Sequence, residues 1–164
     1  MASITKNKQV LALFRDNPNL EDCILDVEGI RGWITHLRSG TFQQGSGNMF
    51  ELLFGVDPGE VPVAGPGTCQ FCCLGVLAYT TNPSLCEFEY DGCDYLSYFN
   101  HSDPSTSELP GEDWPLTQDL ADLLSSVNDA TFIAGHDIAY DPTFNDIADI
   151  LTAMLEDPYF VKGT

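Results

Sequence analysis

Lysine and arginine are absent from the chain between Ser39 and Val161. Five of the six cations, Lys6, Lys8, Arg15, Arg31 and Arg38, precede that span, and Lys162 follows it. The span carries 20 of the 25 acidic residues, and the formal net charge of the 164 residues is −19. Neutralising the phosphates of nucleic acid or of anionic lipid needs cations. Direct binding of nucleic acid, or of an anionic membrane surface, is therefore not expected of this region. A field of this sign attracts a basic protein partner and speeds the encounter. It also serves solubility, or life in a salty habitat, with no partner implied.

Long hydrophobic runs are lacking too. No apolar stretch approaches the ~20 residues needed to cross a bilayer. Met1 to Val10 carries Lys6 and Lys8 but has no apolar signal-peptide segment behind them. These absences lead to the expectation of a cytoplasmic protein without a membrane partner. No zinc-protease, serine-elbow, dinucleotide or calcium-loop motif occurs. Gly45-Ser46-Gly47 lacks the lysine of a phosphate loop and reads as a turn. No reaction can be named from motifs.

What is present fits one domain, 1–164, with an apolar fraction of 43%. At this length folding buries roughly 70% of the unfolded chain's surface, enough for its own core. The expected fold is α+β and mostly helical, with four to five helices and a small β-hairpin or short sheet. A basic helical segment, 1–40, precedes an acidic body, 41–164, with loop elaborations at 57–67, 84–115 and 130–143.

The first helix is expected over Lys6 to Asp16, broken by Asn17-Pro18-Asn19. Cys23, Ile24, Val27, Ile30, Ile34 and Leu37 recur at helical steps, which predicts a second helix from Leu20 to Arg38. Met49 to Val56 is a short apolar run that period alone cannot assign to strand or helix. Cys69 to Tyr79 reads as an extended lead-in and then a buried helix over Cys72 to Thr80. Glu87-Phe88-Glu89-Tyr90 alternates like a strand, and Asp91-Gly92 is a hairpin-type turn. Two further helices follow. One spans Leu116 to Asn128. The other opens at Asp141-Pro142, with Asp141 as its cap.

Four pieces stand in order along the chain. They are Leu37-Arg38-Ser39-Gly40 with Gln43-Gln44-Gly45-Ser46-Gly47, then Cys72-Cys73-Leu74-Gly75-Val76-Leu77, then Asn128-Asp129, and then Phe144 to Ile150. Together they resemble a family of small uncharacterised bacteriophage proteins, in which an L-R-S-G and Q-G-x-G segment, C-C-L-G-V-L, N-D and F-x-x-I-A-D-x-I recur. The matches run from about Trp33 to Met154. The resemblance implies a viral origin and a compact, mostly helical fold, and brings no activity. The chain departs from the pattern at Asp57 to Gly67, at Ala130 to Thr143, and in the aromatic, acidic stretch from Ser84 to Pro115.

Six cysteines offer chemistry: Cys23, Cys69, Cys72, Cys73, Cys86 and Cys93. Cys69 and Cys72 have metal spacing, but Cys86 and Cys93 do not complete a usual zinc knuckle. The expectation is buried thiols with no cofactor and no metal. Cys72 or Cys73 at a helix N-terminus is the alternative, as an activated nucleophile. His36, His101 and His136 sit in no recognisable catalytic setting, and His136-Asp137 reads as a solvated turn.

The remaining constellation is the expected binding surface. Glu87, Glu89, Asp91, Asp94, Asp103, Glu108, Glu112 and Asp113 are interleaved with Tyr90, Tyr95, Tyr98 and Trp114. Tyrosine and tryptophan are favoured anchors in protein interfaces. Acids in series can imitate nucleic acid toward a basic groove. The expected function is a phage-type acidic protein that binds and modulates a host protein, inhibition being the expected effect. Its target is one with a basic, nucleic-acid-binding surface. The alternatives are a small cysteine-dependent or zinc-binding enzyme, and a virion or scaffold component. The oligomeric state is open.

Overall fold

The structure, a computed structural model, describes residues 2–45, 49–53, 60, 62–90, 92, 95–99, 114–129 and 142–163. Its helices are α1 (Ala2–Arg15), α2 (Val27–Arg38), α3 (Cys73–Thr81), α4 (Gln118–Asn128) and α5 (Phe144–Leu155). Its strands are β1 (Gln43–Gln44), β2 (Phe50–Leu52), β3 (Cys69–Phe71), β4 (Cys86–Tyr90) and β5 (Tyr95–Phe99). This is the α+β, mostly helical fold that the sequence leads one to expect.

Local chemistry starts most of the helices. Thr143 and Asp146 form a reciprocal capping box at the start of α5. Asp26 caps α2 by accepting from the Glu28 N–H, and Thr117 caps α4 by accepting from that of Leu120. Past the end of α2, Gly40 has φ +74°, the left-handed conformation that often follows a helix C-terminus. The apolar stripes then bury one face of each helix. Helix α5 packs on α1, α2 and α4, while α3 packs on α2 and α4. Trp33, Phe14, Phe71 and Phe160 are among the largest fully buried side chains. The Trp33 ring N–H is satisfied by the Cys73 carbonyl at 2.8 Å.

Three predicted boundaries need correction. The first helix begins at Ala2 rather than at Lys6. The second helix does not run from Leu20. A 3-10 turn covers Pro18–Leu20, and the helix begins at Val27. Glu21 and Asp22 form a turn, with Asp22 at φ +58°, and Cys23 to Asp26 stay out of the helix because they are a tertiary seam. Ile24 bridges antiparallel to Leu116 and parallel to Val161, and its N–H donates to the Phe160 carbonyl at 2.8 Å. Cys23 and Ile24 are buried there, so their helix-like spacing has a different cause. The cap of α5 is Thr143 rather than Asp141, which lies outside the described residues.

Within the ambiguous run after Met49, Phe50–Leu52 is a strand, and 54–56 lie outside the described residues. In the three-stranded sheet, ordered β1-β3-β2, β1 runs parallel and β2 antiparallel to the central β3. Strands β4 and β5 form the expected antiparallel hairpin, with Tyr90 opposite Tyr95 next to the turn. Phe88 anchors it to the sheet, edge-on to Phe50 at 5.5 Å.

Gly75 lets α3 lie against the chain at Met49. A Cβ at residue 75 would sit 1.8 Å from the Met49 carbonyl oxygen. That same oxygen accepts the Cys72 N–H at 3.0 Å. Among the described residues no helix is long and apolar enough to cross a membrane.

Candidate functional site

The segments that stand apart in the sequence converge on one side chain, Asn128, at the C-terminal end of α4. Its Oδ1 accepts the Cys73 N–H at 3.1 Å, supplying a partner for the first turn of α3. The same oxygen accepts Nε2 of Gln44 at 3.1 Å. Its Nδ2 donates to the Gly45 carbonyl at 2.9 Å and to Asp129 Oδ1 at 3.1 Å. Two donors and two acceptor sites are thus all used, which is the full capacity of a carboxamide. Asn128 is 4% exposed, so each of these bonds replaces water that cannot reach it.

Beside Asn128 opens a polar cleft of about 400 Å³. One wall is the sheet. Gln70 on β3 lies in register with Glu51 on β2 and Gln43 on β1, and Gln70 Nε2 donates to Glu51 Oε1. Strand alternation sends Phe50 and Phe71 into the core and leaves Glu51 and Gln70 on the opposite face. Gly45 lies over Gln70, where a Cβ would come within 2.8 Å of the Gln70 Cγ. The opposite wall is Pro142 and Thr143 at the start of α5. Gln44 ties the two walls, since its Nε2 also donates to the Pro142 carbonyl at 3.0 Å.

None of these residues belongs to the surface expected from the sequence. Of that surface, Glu87 is partly exposed on β4 and opposes Tyr98, while Glu89 opposes Leu96. The register brings acid and aromatic positions side by side on the hairpin. Trp114 is half-buried against the core. Asp91, Asp94, Asp103, Glu108, Glu112 and Asp113 lie outside the described residues, as do His101 and His136-Asp137. The cleft had one signal in the sequence. Gln44-Gly45 and Asn128-Asp129 belong to the same ordered set of segments, although spacing could not show that they touch.

The described cysteines are core residues. Cys23, Cys69, Cys72, Cys73 and Cys86 are free and buried. Cys93 lies outside the described residues. Burial pushes the Cys72 thiol up to about 12, against lowering by the backbone N–H groups of Gly75 and Leu74. The Cys72 sulfur accepts the Gly75 N–H at 3.4 Å, as the cap of α3. Cys73 is likewise raised well above 9.0 by burial, and next by the charges of Cys72 and Asp129. Helix N-termini lower a thiol pKa, but here desolvation is the larger effect. The geometry opposes a thiolate nucleophile at either position. Among the described residues no group of three or more His, Cys, Asp or Glu is placed to hold a metal.

No family model, no curated protein and no solved structure matches this chain.

Proposed function

We propose that the protein is a phage-type acidic interaction module that binds a basic surface of a host protein and modulates it. The observation that carries this reading is the segregation of charge. From Ser39 to Val161 there are 20 acids and no lysine or arginine. Two of the few cations are paired with acids at the protein surface. Arg15 meets Asp157 at 3.2 Å and lies over the Tyr159 ring, and Arg38 meets Asp149 at 2.8 Å. Both thereby join the N-terminal helices to the C-terminal part of the chain. The body retains a large excess of negative charge, suited to steering toward a cationic groove. The hairpin β4–β5 offers Glu87 and Glu89 in register with positions of β5. Acids beside aromatics provide steering together with anchoring.

Affinity capture from host lysate, washed at low and at high salt, tests the proposal. The expected result is a partner that elutes with salt and is displaced by duplex DNA. A set of partners indifferent to salt and to DNA would contradict it.

A further inference from the structure

The cleft beside Asn128 has a chemistry of its own. Its side-chain donors are nearly all consumed within the protein. Both Nε2 hydrogens of Gln44 are used, toward Asn128 and Pro142. Both Nδ2 hydrogens of Asn128 are used, toward Gly45 and Asp129. The Thr143 hydroxyl donates to Asp146 Oδ2 at 3.0 Å. Of the side-chain donors that the described lining residues supply, one Nε2 hydrogen of Gln70 remains.

Acceptors are left over. With their nitrogens committed, the amide orientations of Gln44 and Gln70 are fixed, and their Oε1 atoms have no hydrogen-bond partner among the described residues. No buried side-chain oxygen or nitrogen among the described residues lacks a partner. Those two oxygens are therefore open to solvent in the cleft. Glu51 adds a negative charge to the same wall, no described lining residue is a lysine or arginine, and the sequence holds neither between Ser39 and Val161.

A cleft that accepts but hardly donates selects a donor, and a carboxylate in its wall selects a positive one. An anion finds no counter-charge here and little to hydrogen-bond to. A hydrophobic or base-stacking ligand finds no aromatic ring among the described lining residues. The volume of about 400 Å³ lies within the range of ligand sites. Several acceptors set around one space suit a planar group with several N–H bonds better than a compact ammonium. We propose that this cleft is the socket for an arginine side chain of the basic partner, with Glu51 as its counter-charge and the Oε1 atoms of Gln44 and Gln70 as further acceptors. This inference rests on the reading of the protein as one that binds a basic partner.

The test is titration of the ¹⁵N-labelled full chain with a blocked Gly-Arg-Gly peptide, its lysine counterpart, agmatine and inorganic phosphate. The arginine peptide is expected to give saturable shifts at the side-chain amides of Gln44 and Gln70 and at Gly45, with weaker effects from the lysine peptide and none from phosphate. Glu51→Gln should weaken the arginine peptide roughly tenfold, as the loss of one charge-assisted pair does. Gln43→Lys keeps the fold independent of Glu51, because Gln43 is exposed beside Gln70. It should weaken binding severalfold by repulsion. Absence of saturable shifts, or native affinity retained in both variants, would overturn the socket. Agmatine binding tighter than the peptide would overturn its assignment to a partner's side chain. Lysate capture undiminished by Glu51→Gln, with no peptide shifts, would sink the socket and leave the acidic docking reading standing.

Discussion

The carboxamide oxygen of Asn128 holds the backbone N–H of Cys73 at 3.1 Å, across 55 residues of sequence. One side chain at the end of α4 thereby starts α3. Through its other bonds it also fixes Gln44 and Gly45 at the mouth of the cleft.

Asn128→Ala removes four hydrogen bonds and leaves the Cys73 N–H without this acceptor. The expected cost is about 3 kcal/mol, from the desolvation of groups left unpaired. Asn128→Asp is the sharper probe. It keeps an oxygen for Cys73 but points a second oxygen at the Gly45 carbonyl and at Asp129. A substitution that merely conserved shape would be mild. Urea unfolding should instead show a loss at least as large as that of the alanine variant.

Gly75→Ala and Gly32→Ala should move stability in opposite directions. A Cβ at residue 75 would sit 1.8 Å from the Met49 oxygen, whereas nothing lies within 4 Å of one at residue 32. The first is expected to cost about 3 kcal/mol or more by forcing α3 off the chain at Met49. The second lies inside an exposed turn of α2 and should gain about 0.5–1 kcal/mol from helix propensity. Thermal melts of both variants check the pair.

How much of this was legible in the sequence can be judged from particular residues. The stripe of α5, the strand pattern of β4 and the buried helix after Cys72 were readable, because periodicity is local. Ile24 was not. Its spacing fits a helix, but its backbone pairs with Leu116 and Val161, which lie far along the chain. Asn128 and Gln44 were visible as parts of ordered segments. Their meeting was not, because hydrogen bonds across 84 residues leave no periodic trace. Glu51 and Gln70 face one another only because of a strand register set by tertiary packing.

The thiols set a pH limit on stability. Burial pushes Cys23, Cys72 and Cys86 from 9.0 up to about 12. In the unfolded chain these thiols ionise near 9.0, while the folded chain keeps their protons to about 12. Between those values the unfolded state holds fewer protons, so rising pH favours unfolding. Their contribution is complete below pH 9 and is lost through the window from 9 to 12. The limiting slope is about 1.4 kcal/mol per pH unit for each thiol. Urea midpoints measured across that window should fall. Alkylation of these cysteines near neutral pH should follow unfolding. Fast, selective labelling of native Cys72 or Cys73 would contradict the account of a protonated core.

The charge account is tested most directly by the salt dependence of partner binding. The captured partner's affinity is measured at about 50 mM and about 500 mM salt, for the native chain and for a variant with Glu87, Glu89, Asp91 and Asp94 changed to their amides. The account predicts a steep loss of native affinity with salt, and a weaker, flatter dependence in the variant. Affinity unchanged by salt, or the same salt slope in both proteins, would contradict it.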